Sequence, residues 1–226
     1  MQILITDVTE MHQGNYCVAG WNSNTGGMVR PLPNGSNWTG AQLAKYGIQP
    51  GATIQVTASG AAASGLYPHR TEDTPIDLAS VKLVSAGSNA WFGAGAPPLA
   101  KTLAAAFQNR VQMTGVWNGA RKGAYVQEGT QIGSLAAVGI SGPNLEFFEN
   151  DYKGKKSLRA YMTDDDARYS LPVVAKNLRE LYRSKGASAV NKLLPKIGNL
   201  HVRVGLARAW SGQPGKCTVM INGVYW

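Results

Sequence analysis

Residues 157–171 read SLRAYMTDDDARYSL. Apolar and polar residues alternate on the near side of a run of three acids. Leu158, Ala160 and Met162 fall on one face of an extended segment, and Arg159 and Tyr161 on the other. Residues 163–167 (TDDDA) read as a hairpin turn, whose acids cap basic strands and discourage edge-to-edge pairing. Residues 168–171 return as a second strand. The same period of two recurs at 2–8 and 200–206, so the chain reads as strands joined by turns.

Working outward, residues 134–140 and 144–149 are further strands before this hairpin. Residues 172–185 follow as a helix that buries Val174, Leu178 and Leu181. Lys176, Arg179 and Arg183 are spaced by three and four, which makes one basic stripe. A short helical piece covers 187–194. Residues 200–206 and 216–225 close the chain as a hairpin around SGQPG. Toward the N-terminus, 16–21 (YCVAGW), 28–32 (MVRPL), 53–58 (TIQVTA) and 81–84 are strands. Residues 39–46 form a short helix with Thr39 as its cap. Residues 89–98 (NAWFGAGAPP) read as a linker, and Pro98 opens a helix to about Arg110. Residues 114–130 are Gly-rich and read as loop. Short strands with few helices point to small barrels rather than a layered α/β fold.

The charge is uneven. The 226 residues carry a formal net charge of +9. Residues 1–100 hold four basic and five acidic residues; residues 101–226 hold 18 basic and eight acidic. Of the 22 Lys and Arg residues, 14 lie between 153 and 216. A field of that sign favours a polyanion, with nucleic acid the first candidate. The N-terminal MQILITDV has no basic leader and reads as a strand, and no apolar run reaches membrane length. A cytoplasmic protein with no membrane partner is expected. Cys17 and Cys217 sit in apparent strands and read as reduced core residues. No Cys/His spacing indicates a metal, and no cofactor is expected. The Gly93–Ala96 run lacks a third Gly and meets Pro97-Pro98, which have no N–H to offer a phosphate.

Three stretches carry a resemblance: 3–30 (ILITDVTEM…YCVAGWNSNTGGMVRPL), 68–76 (PHRTEDTPI) and 204–226 (VGLARAWSGQPGKCTVMINGVYW). They resemble bacterial proteins with a dual OB-fold domain. The resemblance implies a mainly β chain with a few helices, built as two tandem small OB-like barrels. Residues 1–90 would form an N-terminal barrel, 91–130 a linker with a helix, and 131–226 a basic C-terminal barrel with an inserted helix. It also implies oligonucleotide binding on the sheet faces.

Three groups of residues bear on chemistry. Trp21, Arg30 and Trp38 surround the first hairpin, where they would stack and clamp bases, or cover the barrel and pair with Asp7 or Glu10. Tyr67, His69, Arg70, Glu72 and Asp73 would make an acid–base or metal site, or a hydrogen-bonded polar loop in which Arg70 holds a carboxylate. Alternation through 200–206 sends His201 and Arg203 outward, and a bulge at Gly205 would bring Arg208 and Trp210 to the same face. With Arg159, Tyr161 and the Lys176/Arg179/Arg183 stripe, these form the expected backbone-binding surface. The leading expectation is a binding module for single-stranded DNA or RNA. The alternatives are an enzyme acting on nucleic acid or a nucleotide through His69, Glu72 and Asp73, and an adaptor whose basic helix docks an acidic protein partner.

Overall fold

A computed structural model of the chain describes residues 1–60, 65–87 and 97–226. Most of residues 89–98, read as a linker, and the Gly93–Ala96 run lie outside the described residues. In the N-terminal half seven strands form one sheet: β1 (Gln2–Glu10), β2 (Asn15–Asn22), β3 (Gly27–Pro33), β4 (Trp38–Thr39), β5 (Thr53–Gln55), β6 (Asp73–Ile76) and β7 (Lys82–Ser85). Their order is β6-β3-β2-β1-β5-β7, with β4 on β2. The β3–β6 pair is parallel and sets Arg30 opposite Asp73. Helix α1 (Gly40–Tyr46) begins as its sequence demands: Thr39 Oγ1 accepts from Gln42 N, and the Gln42 side chain accepts from Thr39 N.

The C-terminal half holds α2 (Leu103–Ala106), β8 (Gly115–Trp117), β9 (Ala120–Lys122), β10 (Tyr125–Gln127), β11 (Leu135–Ser141), β12 (Leu145–Tyr152), β13 (Lys155–Thr163), β14 (Arg168–Pro172), α3 (Lys176–Asn191), β15 (Asn199–Leu206) and β16 (Lys216–Tyr225). They form a four-stranded sheet, β10-β16-β15-β11, and a five-stranded sheet, β12-β13-β14-β9-β8. Two apolar clusters fill the molecule. One is built around Ile3, Ile5, Val18, Trp38 and Ile54. The other joins Leu103 and Phe107 to strands from β10 to β16.

Four expectations change. Residues 114–130 are not loop but contain three short strands, turned at Asn118 and Gly119, both at positive φ. The helix expected from Pro98 shrinks to Leu103–Ala106, capped by Thr102 and ended where Gln108 and Asn109 take positive φ. The helix expected from Pro172 starts at Lys176, because the chain before it is still strand. Val174 accepts a hydrogen bond from Glu10 N, and its own N–H donates to Ile221 O, so that extended segment stitches β1 to β16. The helix then runs through to Asn191, with a break at Gly186. The bulge is not at Gly205. The register of β15 on β16 shifts between Arg203 and Val204, which leaves Asn222 as the extra residue on β16. Gly205 serves it instead: a Cβ there would sit 2.3 Å from the Asn222 amide.

Candidate nucleic-acid interface

Many residues expected on a binding face lie between the two halves. Alternation does send Leu200, Val202, Val204 and Leu206 into the C-terminal core, but the opposite face of β15 meets β1 rather than water. His201 and Arg203 are therefore buried, which corrects their expected outward placement. Arg203 donates through Nη2 to Asp7 Oδ2 at 3.0 Å and through Nε to Asp7 Oδ1 at 3.2 Å. Thr6 Oγ1 donates to Asp7 Oδ2, and Tyr225 Oη donates to the Thr6 carbonyl. Burial, reinforced by the Arg203 charge, lowers the His201 pKa to about 4.

A second cluster gathers the candidate acid–base loop. Arg30 is buried beside Asp73 at 2.6 Å and donates through Nη2 to Ser134 Oγ across the halves. Burial opposes the Arg30 charge, but Cys17 and Asp73 outweigh it and hold its pKa above the usual range. Arg208 binds the other Asp73 oxygen. Glu72 accepts from Ser134 N at 2.6 Å and from Ser134 Oγ at 3.1 Å. Burial raises the Glu72 pKa despite the nearby Arg30. His69 Nε2 lies 2.8 Å from the Leu206 carbonyl, so that nitrogen carries the hydrogen. Burial and then Arg30 bring the His69 pKa down to about 4. These side chains are tied to one another and to the facing half. Arg70 is exposed.

The basic stripe is also engaged. Arg183 holds Glu10 through both terminal nitrogens, Arg179 Nε lies 3.3 Å from the same carboxylate, and Lys176 pairs with Glu180 at 2.7 Å. Glu10 thereby falls below the usual carboxylate range, chiefly through the Arg183 bond. Trp38 is fully buried, with Nε1 donating to the Pro31 carbonyl, so it is core rather than a base platform. Trp21 is half-buried. Arg208 and Trp210 are exposed, beyond the end of β15.

Arg159 and Tyr161 do share a face, and the structure adds neighbours that the sequence reading missed. Phe148 stacks on Tyr161, ring centroids 4.3 Å apart and planes at 17°. Arg168 covers the other side of Tyr161 at 4.0 Å from the ring centre. Trp117 lies 6.3 Å from Phe148. Trp117 is on β8 and Phe148 on β12, the opposite edges of the five-stranded sheet. The sheet must therefore curl toward this face, making a trough that the Trp117–Phe148 contact spans. A groove of about 620 Å³ runs in it, lined by Trp117, Lys122, Tyr152, Arg159 and Ser170, with Asp151 as its one carboxylate among the described residues. Arg159 donates through Nη2 to the Ser170 carbonyl at 2.7 Å, and burial lowers its pKa somewhat. Next to the trough, Lys216 sits over the Tyr125 ring at 4.9 Å. Alternation along 145–152 places Phe148 beside Arg159 once that strand pairs with β13. Nothing comparable signals Trp117, since a three-residue strand is too short to show a period.

Strongly curled sheets of short strands, with an aromatic and basic face on one of them, define an OB-type protein. The chain belongs to the family described as Dual OB-containing domain, whose model matches residues 1–224. No curated protein matches the sequence. Among the described residues no helix is long and apolar enough to cross a membrane.

Proposed function

We propose that this protein binds single-stranded nucleic acid in the trough of the five-stranded sheet. The observation that carries the reading is the aromatic ladder Trp117–Phe148–Tyr161, closed by Arg168 and floored by Lys122 and Arg159. Trp117 keeps 44% of its surface exposed, which leaves indole surface accessible to a base. Stacking on an aromatic face contributes about 1–3 kcal/mol per base and tolerates any sequence. Lys122, Arg159 and Lys216 supply salt-dependent attraction for the backbone. OB folds commonly use such faces for oligonucleotides. The alternative readings draw less support. His69, Glu72 and Asp73 are bonded into the contact between the halves, and Lys176, Arg179 and Arg183 already hold carboxylates of this chain.

The test is fluorescence anisotropy with labelled single-stranded DNA, single-stranded RNA and duplex DNA over a salt series. Single strands are expected to bind more tightly than duplex and to weaken steeply as salt rises. Trp117→Ala and Lys122→Glu change exposed residues and are each expected to weaken single-strand binding about tenfold. Arg183→Ala, on the engaged stripe, is expected to leave it within about twofold. Binding that ignores Trp117 and Lys122 but collapses with Arg183 would move the interface to α3.

A further inference from the structure

A second cavity, of about 300 Å³, opens between the two halves and shares no lining residue with the trough. That volume is at the lower end of the range for small-molecule sites. Its apolar walls include Met11, Leu135, Leu206 and Met220, with Cys17 beside them. Its polar lining includes Arg30, His69, Arg208, Asn222 and the Glu10 carboxylate, which Arg179 and Arg183 hold. Trp210 stands at the rim with 62% of its surface exposed. Its indole lies against Gly212, where a Cβ would come within 2.1 Å of the ring, so one side is backed by the turn.

Three features point to a ligand of one chemistry. The exposed indole and the methionine side chains suit a flat ring. Arg30 and Arg208 face the Asp73 and Glu72 carboxylates, so the polar end is balanced in charge, and Arg208 Nη2 on Asp73 is the contact nearest the opening. Arg208 also keeps 45% of its side chain exposed, so it can turn donors to an anion. The third feature is Asn222. It is the bulged residue of β16, it is 6% exposed, and its Oδ1 meets no hydrogen-bond donor among the described residues. Buried carbonyl oxygens are seldom left without a partner, and bulges cluster where a side chain is re-aimed toward a site.

We propose that this cleft binds a nucleotide monophosphate group, either free or at the end of a strand. The base lies between Trp210 and the methionines, the phosphate meets Arg208, and a base amino group donates to Asn222 Oδ1 once that buried amide turns toward the cleft. The proposal stands whether or not the trough binds a strand.

Calorimetric titration of the full chain with AMP, CMP, GMP and UMP, and with inorganic phosphate as a separate probe, tests it. At least one nucleotide is expected to bind well above phosphate. Trp210→Ala is expected to weaken it at least fivefold, and Ala207→Trp, which fills the cleft, to abolish it. Trp210 is exposed, so its removal should leave the melting temperature nearly unchanged, and melting curves of both variants check the fold. Trp117→Ala should leave nucleotide binding intact, which separates this site from the trough. Competition by a strand with and without a 5′-phosphate then tells a free nucleotide from a strand end. The proposal is overturned by no binding at millimolar nucleotide, by phosphate binding equally well, or by nucleotide affinity that survives both Trp210→Ala and Ala207→Trp in folded protein. It is also overturned if Trp117→Ala removes the binding.

Discussion

Asp7→Asn is expected to destabilise the protein by about 3–5 kcal/mol, because it leaves the Arg203 guanidinium buried without its counter-charge. Arg203 is 0% exposed and Asp7 1%. Arg203 Nη1 has no hydrogen-bond partner among the described residues, so the carboxylate is the main support for that charge. The same reasoning gives Arg203→Met a similar cost, now for an isolated carboxylate. Combining Asp7→Asn with Arg203→Met removes both charges and should recover most of the loss, since a buried pair replaced as a pair is often nearly neutral. Urea unfolding of the two single variants and the double variant at neutral pH makes the comparison, with the slope checked for constancy. Single-variant losses below about 1 kcal/mol would mean that water or backbone movement relieves the stranded charge, and the contact between the halves would then be looser than its geometry implies.

That ion pair also explains why part of the site escaped a reading of the sequence. Alternation in 200–206 is real, and it correctly assigns Leu200, Val202, Val204 and Leu206 to one face. A period of two says that the other face differs; it does not say that it is wet. Here the second face is covered by β1, whose Asp7 lies 196 residues away in the chain. Arg30 and the His69–Asp73 loop misled in the same manner. Polar residues close in sequence looked like one local site, whereas their partners Ser134, Leu206 and Arg208 come from the other half. What depends on neighbouring residues was legible. Thr39 caps its helix, and Asp164 closes the TDDDA turn by accepting from Asp166 N and Ala167 N. Arg159 and Tyr161 share a face because their own strand dictates it. Trp117 reaches Phe148 only because the sheet curls, and curl is a property of five strands together.

The burial of histidine between the halves carries the second large effect, a loss of stability in mild acid. His69 and His201 are each 4% exposed, and each has its pKa lowered from 6.5 to about 4. The native state therefore keeps both neutral, while the unfolded chain takes up protons below about pH 6.5. A depressed histidine contributes stability that is full above its unfolded pKa and is lost as pH falls toward its folded pKa, so the window is about pH 6.5 to 4. One pKa unit corresponds to about 1.4 kcal/mol, which puts the limiting loss on the order of 3 kcal/mol per histidine. Glu72 acts in the opposite sense. Its folded pKa is raised, so acidification protonates the native state before the unfolded one and returns part of the loss at the acid end of the window. Urea midpoints measured from pH 7.5 to 4.5 are expected to fall steadily below pH 6.5. His69→Gln, which keeps an N–H for the Leu206 carbonyl, should flatten the curve by about half. Stability that stays level between pH 7 and 5 would contradict neutral burial of the two rings. A fall that His69→Gln does not reduce would place the proton uptake at His201 alone. Either histidine, once protonated, adds a positive charge beside an arginine that already balances a carboxylate: Arg30 for His69 and Arg203 for His201. Acid would therefore loosen the contact between the halves before it melts either apolar core.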